Sequence, residues 1–221
     1  MTERPLPRTA DVVIVGGGIL GLSTAWHLAR TGTVRVVVIE RQSLASQASS
    51  RAAALLTLGR ADARFTRLVQ RTFAAIEELG TILGEPLPLH RYGSLSVTTT
   101  AEGRHGLQAL IDGAARAGVS FETLGAADAR RLVPWLAVTE DSTCVLCPDD
   151  AFIDPYLLAS AYGTAARRAG ATIVSGTAVT GLSVASGGVS GVSTTAGTIA
   201  APVVVIAAGA WSNVVAASLG A

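Results

Sequence analysis

Four apolar β-formers, Val12-Val-Ile-Val15, run directly into three glycines, Gly16-Gly17-Gly18. Few chains can follow such a run with anything but a tight turn. From Ile19 to Arg30 there is no proline, and Leu20, Ala25, Leu28 and Ala29 supply apolar positions until Gly32 stops the run. Val34 to Ile39 is a second β-branched stretch, closed by Glu40. Strand, glycine turn, helix and strand in this order predict a βαβ unit with a parallel pair. The near-continuous valines suit strands covered on both faces.

The glycines spell Gly16-x-Gly18-x-x-Gly21, and each has a distinct physical task. The first permits the tight turn, the second lets backbone approach a pyrophosphate, and the third lets the helix pack against the strand. The helix N-terminus then offers free N–H groups and the positive end of its dipole to phosphate. Glu40 follows Gly21 by 19 residues, at the end of the second strand. A carboxylate there accepts hydrogen bonds from ribose hydroxyls and repels a 2′-phosphate, which argues against NADP, although the adjacent Arg41 weakens that argument. A bare glycine motif is also compatible with a structural turn. Here its position between strand and helix, with the acid at the right distance, favours a dinucleotide. These residues do not separate FAD from NAD.

Beyond this unit, Gln42 to Ser50 reads as a polar loop. Ala61 to Leu83 reads as a long helix, with Phe65, Leu68, Val69, Phe73, Ile76 and Leu79 at helical spacing and Gly84 and Pro86 at its end. Leu95 to Thr100 is β-like, and helices are expected at Glu102 to Ala117 and Ala126 to Leu132. Asp149 to Pro155 reads as an acidic loop, with Pro155 placed to open a helix that runs to Ala169 and stops at Gly170. Strands are expected at Thr172 to Ser175, Val179 to Ala185, Val189 to Thr195 and Val203 to Ala207. The fold class is therefore α/β. Residues 1–84 and 150–221 are expected to form a discontinuous Rossmann-like domain around a parallel sheet. Residues 85–149 are expected to form an inserted, incomplete α+β domain.

Composition narrows the chemistry. The formal net charge of +1 gives no basic surface for nucleic acid or membrane. No apolar run is long enough to span a bilayer, and no targeting segment is expected in Met1 to Ala10. All 17 basic residues are arginine, so Schiff-base chemistry and a P-loop lysine are excluded. Cys144 and Cys147 form a C-x-x-C on what reads as a strand, where positions three apart face opposite sides. With no further soft ligands nearby, they read as structural and no metal site is expected. His27, His90 and His105 stand apart from any catalytic constellation. Arg64, Arg67 and Arg71 read as a solvated helix face, with approach to a flavin or a substrate carboxylate as the alternative. Trp135 and Trp211 read as packing residues.

The stretch Val12-Val-Ile-Val-Gly-Gly-Gly-Ile-Leu-Gly-Leu-Ser-Thr-Ala-Trp-His-Leu-Ala29 resembles the opening of the D-amino-acid oxidase superfamily of FAD-dependent oxidoreductases. Gln47-Ala-Ser-Ser-Arg-Ala-Ala-Ala54 resembles the small-residue segment that wraps the FAD diphosphate in that family. Asp149-Asp-Ala-Phe-Ile-Asp-Pro155 and Val205-Ile-Ala-Ala-Gly-Ala-Trp-Ser212 resemble two further segments, in the family's order. The resemblance implies FAD as cofactor. It places Gly16, Gly18, Ile19, Leu20 and Gly21 at the pyrophosphate and Glu40 and Arg41 at the adenosine. Ala48, Ser49, Ala53, Ala54 and Leu55 would line the diphosphate and flavin, and the Val179 backbone would meet the adenine.

The implied reaction is oxidation of the CH–NH group of a small amino acid or amine, of the glycine, sarcosine or D-amino-acid type. Hydride would pass to flavin N5, the imine would hydrolyse, and oxygen or another acceptor would take the electrons. A 2-hydroxy acid is the alternative donor. No catalytic residue identifies itself. Family members are longer, whereas this chain stops nine residues after Ser212. A fragment, a truncated frame or one piece of a split enzyme, completed by a second chain, are all compatible with that. So is a non-catalytic FAD-binding subunit. The expected location is the reducing cytoplasm.

Overall fold

The computed structural model describes residues 6–185 and 187–218. Its first elements are β1 (Val12–Val15), α1 (Ile19–Ala29), β2 (Val36–Ile39), a 3-10 turn (Ala48–Ser50), β3 (Leu55–Leu56) and α2 (Ala63–Leu83). Then come β4 (Leu89–His90), β5 (Ser94–Thr98), α3 (Ala101–Ala115), β6 (Glu122–Leu124), α4 (Ala126–Leu132), β7 (Thr143–Cys147) and β8 (Ala151–Ile153). The chain closes with α5 (Pro155–Arg168), β9 (Thr172–Val174), β10 (Val179–Ala185), β11 (Gly188–Thr194), β12 (Gly197–Ala200), β13 (Val203–Ile206), a second 3-10 turn (Gly209–Trp211) and α6 (Ser212–Ser218). They fall into two compact units. One comprises Met1–Ala52, Leu79–Pro86 and Asp154–Ala221, the other Ala53–Glu78 and Leu87–Ile153.

The first unit is built on a four-stranded parallel sheet, ordered β13-β1-β2-β9. All four residues of β1 and of β2 are buried, as continuous valine runs require when both faces are covered. On one side lie α1 and α5, where Trp26, 1% exposed, meets the Tyr162 ring at 5.5 Å. On the other lies an antiparallel sheet, β10-β11-β12, whose Val192 and Ile199 pack with Val13, Val15, Val37 and Ile39. Each such buried aliphatic contributes about 1.5–3 kcal/mol. Helix α5 begins where Pro155 suggested. The Asp154 carboxylate accepts from the Tyr156 and Leu157 N–H groups at 2.8 and 3.0 Å, and Pro155 has no N–H to satisfy. Gly170, at φ +99°, ends the segment. Strand β12 was not among the strands expected from the sequence, since a four-residue run opened by a glycine carries little strand signal.

The second unit holds two three-stranded sheets, β5-β7-β6 and β3-β8-β4. Cys144 and Cys147 are both buried and free, and they enter different cores. Cys144 packs with Ala126, Ala129 and Val138, and Cys147 with Leu58, Phe73 and Ala151. The opposite facing expected of a strand is thus realised. Burial, and next the Asp150 carboxylate beside it, push the Cys147 thiol up to about 12.

Several expectations need correction here. Residues 53–78 pack with the middle of the chain, so the first boundary lies after residue 52 rather than at 84. The cause is a shared core in which Leu56, Leu58, Val69 and Phe73 bury against Ala114, Val119 and Cys147. Within α2, Phe65 and Leu68 are 58% and 59% exposed. Of the rest of the expected stripe, Val69 is half-buried and Phe73, Ile76 and Leu79 are buried, and at the start of the helix Thr66 takes the buried position. Thr66 tolerates full burial because its hydroxyl donates to the Leu58 carbonyl at 3.0 Å. Arg64, Arg67 and Arg71 are exposed, as a solvated face requires. The presumed acidic loop contains β8, paired with β3 and β4. Trp135 is 85% exposed and packs no core.

Candidate dinucleotide-binding site

Strand β1 lies between β2 and β13, with Val15, Ile39 and Ile206 in one register. All three strands therefore end together, and the glycine turn leaves from the middle of that end. The Gly16 N–H donates to the Ile39 carbonyl at 2.8 Å, and the Ala207 N–H donates to the Val15 carbonyl at 2.8 Å. These bonds extend the parallel ladder one residue past the strands and pin the turn.

The glycines now separate by physical role. Gly16 has φ +116°, and an added Cβ would stand 2.4 Å from the Ala207 carbonyl oxygen. At Gly21 a Cβ would meet the Gly16 carbonyl oxygen at 1.9 Å, inside any tolerable contact. Gly17 would collide with Leu44 Cδ2 at 2.6 Å and Glu40 Cβ at 2.9 Å. Its requirement for glycine could not be read from the spacing, because it arises from β2 and the loop after it. Gly18 differs. Its Cβ would meet only the Ser49 hydroxyl, at 3.0 Å, so no backbone forbids a side chain there. What the missing side chain provides is open space in front of α1, where the first-turn N–H groups have no carbonyl four residues back. That space and those donors fit a pyrophosphate.

Around the turn, Glu40 is already engaged. Its carboxylate accepts from the Gly17 N–H at 2.7 Å through Oε2 and from the Gln42 N–H at 2.8 Å through Oε1. The acid is thereby held in place, and each oxygen keeps a second lone pair for a ribose hydroxyl. The Glu40 carbonyl accepts from the Thr177 N–H at 3.0 Å, which draws the segment leading to Val179, the first residue of β10, to the end of β2. The Ser49 hydroxyl accepts from the Ile19 N–H at 2.9 Å, so the small-residue segment reaches the front of α1. Ala48 is exposed beside it, and Leu20 is 68% exposed on the first turn. Arg41 lies over the Trp211 indole, with its guanidinium carbon 4.6 Å from the ring centroid. Trp211 is 40% exposed, so it is not the packing residue expected. At the opposite end of β1, Asp11 pairs with Arg35 at 2.7 Å. That hydrogen-bonded guanidinium lowers the Asp11 carboxyl to about 2, and the pair is remote from the turn.

The structure thus gathers Gly16, Gly18, Ile19, Leu20, Gly21, Glu40, Arg41, Ala48, Ser49 and Val179 in the first unit. Ala53, Ala54 and Leu55 belong to the second. There Ala54 has φ +49°, a left-handed conformation rarely adopted with a Cβ, and its carbonyl accepts from the Ile153 N–H at 3.4 Å. Leu55 pairs with Phe152 in the sheet and is 63% exposed, while Ala53 is also exposed. Among the described residues, no group of three or more His, Cys, Asp or Glu is placed to hold a metal. No helix among them is long and apolar enough to cross a membrane.

A parallel sheet whose central strand opens through this turn onto a helix, with an acid fixed at the end of the neighbouring strand, defines a nucleotide-cofactor α/β protein. Residues 11–221 match the family described as FAD dependent oxidoreductase, and the chain belongs to that family. Its cofactor is FAD, and the glycine turn fits the diphosphate of that cofactor. Human mitochondrial sarcosine dehydrogenase is 31% identical over 219 residues, covering 96% of this chain and 24% of that protein. L-proline dehydrogenase from P. horikoshii superposes with a TM-score of 0.89 at 26% identity, over 97% of this chain and 57% of its own. Glycine oxidase from Geobacillus kaustophilus superposes with a TM-score of 0.81 at 31% identity, over 96% and 59%. The chain therefore spans about a quarter of the first relative and somewhat more than half of the other two.

Proposed function

We propose that this chain is the cofactor-binding part of an oxidoreductase acting on the CH–NH group of a small amino acid or secondary amine. The observation that carries the reading is the open front of α1 at Gly18, flanked by the anchored carboxylate of Glu40. In this reading Gly16, Gly18, Ile19, Leu20 and Gly21 hold the pyrophosphate, and Glu40 and Arg41 take the adenosine. Ala48, Ser49, Ala53, Ala54 and Leu55 line the diphosphate and flavin side, and the Val179 backbone meets the adenine. Bound FAD supplies the hydride acceptor at flavin N5. The chain's own part is to bind and orient: backbone N–H groups face the phosphates, and small side chains permit close approach.

The names of the relatives support the substrate class, since sarcosine, glycine and proline are small amino acids with an amine beside the carboxylate-bearing carbon. Oxygen or another carrier takes the electrons, the setting is cytoplasmic, and a second chain or further sequence completes the substrate side.

The test is to purify the chain with added FAD and mix it anaerobically with sarcosine, glycine, L-proline, D-amino acids and 2-hydroxy acids. A yellow protein bleached by an amine is the expected result. Bleaching only by a hydroxy acid would reassign the donor. A yellow protein that no donor reduces would make this a non-catalytic flavin-binding chain. A colourless protein that binds NAD tightly would overturn FAD as the cofactor.

A further inference from the structure

The Arg41–Trp211 contact joins two exposed side chains. Adjacent strands lie about 4.8 Å apart, so β2 and β13, on either side of β1, are separated by about 10 Å. Arg41 follows β2 by two residues and Trp211 follows β13 by five. Their contact at 4.6 Å therefore reaches across the end of β1, where the glycine turn leaves. The segment bearing Trp211 is fixed against that turn, because Gly16 lies against the Ala207 carbonyl and the Ala207 N–H bonds to Val15.

Arg41 is exposed, and among the described residues its side chain forms no ion pair or hydrogen bond. Stacking on an indole uses the flat face of a guanidinium and leaves its N–H donors pointing outward in the plane. A guanidinium with no protein acceptor, held across the end of β1 where the glycine turn leaves, keeps its N–H donors for an anion such as a diphosphate.

We infer that Trp211 is a positioning residue for the cofactor, which holds the Arg41 guanidinium across the glycine turn so that this residue, given above to the adenosine, also clasps the adjoining diphosphate of the dinucleotide. The inference rests on the FAD reading above and assigns to Trp211 a role that sequence alone did not suggest. The indole is the positioning group and the guanidinium the contacting one. Loss of either leaves the glycine turn intact but its anion site open on one side.

Trp211 can report on the clasp directly. Trp26 is buried, so a Trp135→Phe protein leaves Trp211 as the remaining exposed indole. That protein is titrated with ADP, which carries the adenosine and diphosphate without the light-absorbing flavin, and separately with FAD. Indole emission is expected to change on ADP binding. Dissociation constants for both ligands are expected to rise roughly tenfold in Arg41→Ala and in Trp211→Leu, and by less than about threefold in Trp211→Phe. The melting temperature of the ligand-free protein should be the same in all of them. A packing role for Trp211 would do the reverse, lowering the melting temperature and sparing affinity. If FAD binds the parent protein but neither Arg41→Ala nor Trp211→Leu weakens it or ADP, the clasp is wrong and the cofactor reading stands. If the parent protein binds neither ligand, both fall.

Discussion

The turn after β1 and the turn after β7 are both tight and both central to their units, yet they are built by opposite means. After β1, side chains are removed. Gly16, Gly17 and Gly21 sit where any Cβ would strike backbone or a packed side chain, at 1.9 to 2.6 Å. After β7, a charged side chain is added. Asp150, 3% exposed, accepts from the Leu58 N–H at 2.7 Å and from the Ser94 hydroxyl, tying three distant parts of its unit together. The first device leaves open space in front of α1, whereas the second turns its polar groups inward. A buried carboxylate bonded on both oxygens within its own unit is a structural knot, whereas a turn stripped of side chains leaves room at its surface.

The sharpest way to break this contrast is Gly21→Ala. The new methyl would sit 1.9 Å from the Gly16 carbonyl oxygen, and a loss of about 3 kcal/mol or more is expected in urea unfolding. Gly18→Ala, in the same turn, should keep stability within about 1 kcal/mol while lowering retained FAD. Equal stability losses in the two variants would mean that the glycines do not divide as described. Asp150→Ala should destabilise by about 2–4 kcal/mol, because the buried Leu58 N–H loses its acceptor. It should leave FAD affinity of the folded protein unchanged.

Glu40→Ala is expected to weaken FAD binding by about 1–3 kcal/mol, measured by calorimetry, since it removes both the ribose acceptor and the anchor on Gly17. Cys147 gives a smaller, pH-dependent effect. Its folded thiol is raised to about 12 from an ordinary 9.0, so its contribution to stability is complete below pH 9.0 and is lost as the pH rises towards 12. The alkaline fall in denaturation midpoint should be shallower in Cys147→Ala. In the native protein at pH 8, a thiol reagent should modify neither cysteine. Trp135→Ser, at an 85% exposed site, should change stability by less than about 0.5 kcal/mol.

Some of this was legible in the chain. The βαβ unit, α4 over Ala126–Leu132 and the proline start of α5 follow from local rules, since periodicity, caps and breakers act over one or two turns. The two- and three-residue strands β3, β4, β6 and β8 did not, because so short a run has no period to detect. Phe65 and Leu68 misled for a related reason. Helical spacing identifies a stripe, but which neighbouring stripe is buried depends on what packs against it.

The glycine turn itself divides along the same line. The sequence by itself determined that a strand would end in a turn able to receive a diphosphate, with an acid at the distance a ribose needs. Those features depend on residues within one βαβ unit and on backbone chemistry that spacing records. Only the tertiary structure decided which glycines the fold demands and which one has open space before it. It also decided that Glu40 would brace Gly17, that Ser49 would reach Ile19, and that Arg41 would lie on Trp211. Each of those contacts joins residues 23 to 170 positions apart. Their meeting is fixed by strand order and register, which no local pattern encodes.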